Sequence, residues 1–129
     1  MMGEMRLEVL QGTLDLMILK TIEAMGPLHG YGIARRIEEV SGGEVSGSGL
    51  RLNQGTMHPA LVRLQRRRWI KAKWGVSASG RRARFYALTP IGRKEMARET
   101  VSWERMAGMM ARFLAGGAED REQGLGTRE

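Results

Sequence analysis

Residues 45–94 carry 12 Lys or Arg side chains and no Asp or Glu. Arg51, Arg63, Arg66, Arg67, Arg68, Lys71, Lys73, Arg81, Arg82, Arg84, Arg93 and Lys94 give this stretch a formal charge of +12. The remainder, with 9 basic and 14 acidic residues, sums to −5. A block of cations with no carboxylate to neutralise it attracts a polyanion, phosphodiesters above all. Other chemistries lack their parts. With no Cys there is no thiolate ligand, disulfide or thiol nucleophile. His29 and His58 have no His, Asp or Glu neighbours at ligand spacing, so no metal and no cofactor is expected. General acid–base catalysis needs carboxylates or His held in a pocket, whereas the acids here fall on helix faces or near the C-terminus. The expectation is a protein that binds and is not an enzyme.

The elements that must carry these cations are legible in the periodicity. Leu7, Leu10, Leu14, Met17, Ile18, Ile22 and Met25 recur near 3.6 residues, which predicts a long amphipathic helix. Leu16 and Leu19 broaden its apolar surface, as in a helix packed on two sides. Gly26-Pro27 ends it. A second helix is expected from about Gly30 to Val40, with Ile33, Ile37 and Val40 inward. Ser41–Gly49 reads as a permissive connection, since Gly-Ser-Gly here lacks the strand and the Lys-Ser/Thr pair of a phosphate-cradling loop. Leu50-Arg51-Leu52 alternates like a short strand.

Thr56 is the expected cap of a third helix, from about Met57 to Arg68, with Pro59 in its first turn. Met57, Ala60, Leu61 and Leu64 share one face, and Pro59, Val62, Arg63 and Arg66 lie opposite. An ordinary solvated face would mix acid and base; this one is only basic. Alternation over Trp69–Trp74 and again over Arg82–Leu88, around a Gly/Ser tip with Arg81 and Arg82, predicts a basic hairpin. Thr89-Pro90 restarts a helix. Two helices, a small strand, a third basic helix and a basic hairpin make a winged helix-turn-helix, mainly α with a small β-hairpin wing. In that arrangement Gln54, Thr56, His58, Val62 and Arg63 lie near base edges or phosphates, with Arg63 favoured for a base and Val62 for a thymine methyl. Arg66, Arg67 and Arg68, with Lys71 and Lys73, supply phosphate attraction, and Arg81, Arg82 and Arg84 form the wing.

The chain resembles the PadR family of transcriptional regulators, in its short-tailed branch, over about Leu7–Leu114. The resemblance rests on five stretches in order: Leu10-Gln11-Gly12-Thr13-Leu14-Asp15, His29-Gly30-Tyr31-Gly32-Ile33, Gly55-Thr56-Met57-His58-Pro59-Ala60-Leu61, Gly80-Arg81-Arg82-Ala83-Arg84-Phe85-Tyr86 and Leu88-Thr89-Pro90-Ile91-Gly92-Arg93. It implies DNA contacts by Tyr31 and Pro59 beside the residues above. His58 stands where the family usually has Tyr, which bears on operator preference at that position.

The last helix, from about Pro90, has Met96, Thr100, Trp103, Ala107, Met110 and Leu114 at alternating steps of four and three, a heptad seam. An intramolecular packing face is the other reading of so short a pattern. The resemblance implies a homodimer made by this helix with the first, through Leu10, Leu14 and Met17. A lone Trp on an apolar helix face is ordinarily packing. The resemblance further implies that paired Trp103 side chains line a pore for a planar aromatic effector, and Met and Trp linings suit such ligands. Residues 1–89 are thus expected to bind DNA, 90–115 to dimerise, and 116–129 to form a charged, Gly-rich tail without order. The longest apolar run near the N-terminus, Leu16–Leu19, is too short for a signal or a membrane span, so a cytoplasmic protein is expected. The expected function is a sequence-specific, ligand-responsive repressor, dimeric on a palindromic double-stranded DNA operator. The competing one is a sequence-tolerant architectural protein that covers DNA or RNA with the same cations.

Overall fold

The computed structural model describes residues 2–42 and 51–128, with side chains for residues 12–42 and 51–116. Helix α1 (Met2–Met25) starts earlier than its periodicity suggests. It sends Leu14, Ile18, Leu19 and Ile22 into the core, with Leu16 and Met17 partly buried beside them. Gly26, at φ 79°, closes the helix by donating its N–H to the Ile22 carbonyl at 2.8 Å. That left-handed backbone suits a residue without Cβ.

After Pro27 the chain is extended, and Leu28–His29 forms strand β1. The strand expected at Leu50–Leu52 is a misplacement. Leu50 lies outside the described residues, as does most of the Ser41–Gly49 connection, and neither Arg51 nor Leu52 is in a strand. The Leu52 N–H instead donates to the Glu38 carboxylate at 2.7 Å, so a side chain takes the donor that a ladder would have used. His29 then caps α2 (Gly30–Val40), its Nδ1 accepting the Gly32 N–H at 2.9 Å. Ile33, Ala34 and Ile37 are buried, while Val40, expected with them, is exposed at the last helical residue.

Helix α3 (Gln54–Arg66) is capped by Asn53, not Thr56. The Asn53 side-chain oxygen accepts the Thr56 N–H at 3.0 Å, and the Thr56 hydroxyl lies 3.2 Å from the same atom. Pro59 is therefore the sixth helical residue and not in the first turn. Its missing N–H costs the Gly55 carbonyl its helical donor. Met57, Ala60, Leu61 and Leu64 are buried as the spacing requires. The helix closes through Arg68 at φ 64°, with the Trp69 N–H on the Leu64 carbonyl at 3.0 Å. A left-handed residue bearing a Cβ costs about 1 kcal/mol.

Strands β2 (Ile70–Val76) and β3 (Arg82–Leu88) form the expected hairpin, in register from Ile70↔Leu88 to Val76↔Arg82. Strand β1 pairs with the other edge of β3, Leu28 opposite Tyr86 and His29 opposite Phe85, giving a three-stranded antiparallel sheet of order β1-β3-β2. Thr89 ties the sheet to α4 (Pro90–Arg128). Its hydroxyl donates to the Arg68 carbonyl at 2.6 Å and accepts the Gly92 N–H at 2.9 Å. Gly92 packs so closely on the Trp69 carbonyl that no side chain fits there.

These elements make a winged helix-turn-helix followed by a long helix. By compactness the chain divides after Met96. Met96, expected in a dimer seam, is buried in the core of the first unit, because it lies in the turns of α4 that belong to that unit. Helix α4 continues to Arg128, past the end near Leu114 that its periodicity suggests.

Candidate nucleic-acid interface

Helix α3 packs against strand β2 of the hairpin, so the two basic elements of the acid-free segment are neighbours in the fold. On α3, opposite the buried stripe, Gly55, Pro59, Val62 and Arg66 run along the outward face. Gln54 and His58 lie on one flank and Arg63 on the other. Gln54, His58, Pro59 and Arg66 are exposed, and Val62 is partly so. The Thr56 hydroxyl is held at the cap by Asn53. Tyr31, in the first turn of α2, is exposed and stacks on His29 with ring centroids 6.4 Å apart. Arg66 sits about 18 Å along the α3 axis from Gln54, so one end of the helix holds polar edges and the other holds bare cations.

Arg63 departs from its expected place. Its Nε and Nη2 donate to the two carboxylate oxygens of Asp15 at 3.2 and 2.6 Å, a bidentate pair that joins α3 to α1. Asp15 is only 8% exposed. The hydrogen bonds to Asp15 push the Arg63 guanidinium above its ordinary pKa, against the opposing effect of burial. Arg63 is thus neutralised where it stands, with two of its donors spent, which disfavours the base-reading role expected of it. Helical spacing correctly kept it out of the core. It could not show that the flank on which Arg63 lies meets α1.

The wing is built differently. Arg81, Arg82 and Arg84 are exposed, as are Lys71 and Lys73 at its root. The Arg82 and Arg84 guanidinium carbons lie 4.7 and 5.8 Å from the ring centroid of Trp74, which is 57% exposed. On the other face of the hairpin Phe85 covers Gly75, where an added Cβ would come within 2.9 Å of the ring, and His29 packs edge-on to Phe85 at 5.4 Å. Arg67 repeats the stacking at 5.2 Å over Trp69. Trp74 is absent from the site residues that the sequence suggests, because alternation gives the faces of each strand but not the register that sets Trp74 opposite Arg84.

The residues expected to dimerise are divided. Leu14 is buried in the chain's own core and Met17 partly so, while the side chain of Leu10 lies outside the described residues. On α4 Trp103, Met110 and Leu114 are exposed, and Thr100 and Ala107 are partly so. A shallow concavity on this helix is lined by Val101, Met106 and Met109 among others, but not by Trp103. Among the described residues no group of three His, Asp or Glu could hold a metal, and no helix is long and apolar enough to cross a membrane.

A model of the transcriptional regulator PadR-like family matches residues 18–98. An uncharacterized 37.1 kDa protein in transposon TN4556 of Streptomyces fradiae is 39% identical over 85 residues, which are 66% of this chain and 21% of that protein. The chain therefore spans about a fifth of the length of that relative. Among solved structures, a PadR family transcription regulator from Clostridium difficile is 27% identical at a TM-score of 0.64, with 78% of this chain and 97% of that one covered. A PadR-like transcriptional regulator from Bacillus cereus is 20% identical at a TM-score of 0.68, covering 84% and 97%. At that identity the likeness is one of fold.

Proposed function

The chain belongs to the PadR-like family of DNA-binding transcriptional regulators, and from that premise we propose that it is a ligand-responsive repressor acting as a dimer on a palindromic operator. The observation that carries this reading is that the outward face of α3 and the wing, both from a segment without Asp or Glu, leave Arg66, Arg81, Arg82 and Arg84 exposed. Phosphates are the ligands such a surface takes, and the N-terminal half of α3 supplies the polar and methyl-contacting side chains for base edges. Gln54, His58 and Val62 read the major groove there. Tyr31, Pro59, Arg66, Arg67, Lys71 and Lys73 position the protein on the backbone. Residues 1–89 form the reading unit and 90–115 the dimerisation helix, where exposed Trp103, Met110, Phe113 and Leu114 give a second copy an apolar face to cover. A dimer places two reading helices on a two-fold operator. A planar aromatic effector that stacks on Trp103 would lower DNA affinity by binding one spacing of those helices better than another.

The reading is tested by measuring affinity for the duplex upstream of the protein's own gene and for a scrambled duplex at about 150 mM salt. A preference of at least ~10³ is expected. Equal affinity would sink it. The clamp of Asp15 on Arg63 favours a second reading, sequence-tolerant coverage of duplex or RNA, because it withdraws a base-reading candidate. Equal affinity is what that reading requires.

A further inference from the structure

Trp74 lies outside the core, a large aromatic ring left more than half exposed in a small domain. Its face of the hairpin begins as core, with Ile70 buried and Ala72 opposite Tyr86, and passes outward to Trp74 opposite Arg84 and Val76 opposite Arg82. Both arginines turn back along this face onto the indole, within the roughly 6 Å at which a guanidinium is attracted to a ring.

An arginine can be ordered by a carboxylate or by an aromatic face, and the consequences differ. A carboxylate takes the N–H edges and cancels the charge, as Asp15 does to Arg63. A ring engages the flat face of the guanidinium, leaving the charge and the edge donors for another acceptor. In a segment without a single Asp or Glu, the ring is the device that remains. The hairpin is also braced from behind by Phe85 over Gly75, so the strand bearing the ring is itself fixed.

We propose that Trp74 is the positioning residue of the wing, holding Arg82 and Arg84 in place with their charge and donors intact for the phosphodiester backbone of duplex DNA. This rests on the DNA-binding reading above. Ordering two long side chains before the encounter removes rotamer freedom that binding would otherwise have to remove.

The test is a double-mutant cycle on the full chain, with a random duplex at fixed salt as probe and thermal unfolding recorded for every variant. Trp74→Leu keeps an apolar strand residue without the ring, and Trp74→Phe keeps a ring. Trp74→Leu should weaken binding roughly tenfold. Trp74→Phe should recover most of that loss. In the Arg82→Ala/Arg84→Ala background, Trp74→Leu should cost nothing further, because the residues through which it acts are gone. The same loss in both backgrounds, or no loss in the native one, would overturn the proposal. If the Arg82→Ala/Arg84→Ala variant alone binds as well as the native protein, it is the wing's part in DNA binding that fails.

Discussion

Arg63 and the wing arginines are alike in type, yet the structure treats them in opposite ways. Arg63 sits against a nearly buried Asp15 and serves to fix α3 on α1. Arg82 and Arg84 lie on an indole and keep their charge for the outside. Formal charge therefore overstates what a basic block presents to a polyanion. One of its 12 cations is spent inside the fold, on a carboxylate from outside the block. Fixing α3 on α1 takes an ion pair, whereas the exposed wing arginines rest on a ring.

Breaking the latch should have the largest effect. Asp15→Ala leaves a partly buried guanidinium without its carboxylate and should cost about 3 kcal/mol of stability, measured by urea unfolding. Replacing both partners by apolar residues, Asp15→Leu with Arg63→Met, should cost much less than the two single changes together. Additive losses would show that the two residues do not act as a pair. Removing the wing cations should do the reverse: Arg82→Ala/Arg84→Ala is expected to change stability by no more than about 1 kcal/mol. Its salt slope for duplex binding should nevertheless fall by about 1.8 units, or about 0.9 for each phosphate that is no longer neutralised. A variant that unfolds more easily without a change in slope would make the wing arginines structural.

A more conservative change sharpens the contrast. Arg63→Lys keeps the charge but not the planar fork, and should lose about 1–2 kcal/mol of stability, since a point charge replaces two hydrogen bonds. The smallest effect belongs to Arg81, which no described residue holds by an ion pair or a ring. Arg81→Ala should lower the slope by about 0.9 and weaken all duplexes alike, with stability unchanged within about 0.5 kcal/mol in the same unfolding experiment. A loss confined to one sequence would make Arg81 a base reader.

The fold was largely legible because its signals are local. Helical spacing placed α1, α2 and α3, alternation placed the hairpin, and Thr89-Pro90 placed the start of α4. What escaped depends on distant partners. Strand β1 is two residues long and exists because Phe85 and Tyr86 stand opposite it. Asn53 and Thr56 are both good caps three residues apart, and nothing local decides between them. The same limit governs the site. The acid-free block and its division into helix and wing could be read directly, but Asp15 lies 48 residues from Arg63 and only the packing of α1 on α3 joins them. Met96 continued a heptad spacing that the first turns of α4 break by entering the core.

The contrast to be tested is between Arg63, neutralised within the fold, and the wing, which presents its charge outward. The measurement that meets it most directly is a set of parallel salt titrations of duplex binding for the native chain, Arg63→Gln and Arg82→Ala. The slope should be lower by about 0.9 for Arg82→Ala and by no more than about 0.3 for Arg63→Gln. A reduction of about 0.9 for Arg63→Gln would mean that Arg63 leaves Asp15 for a phosphate, and would contradict that contrast.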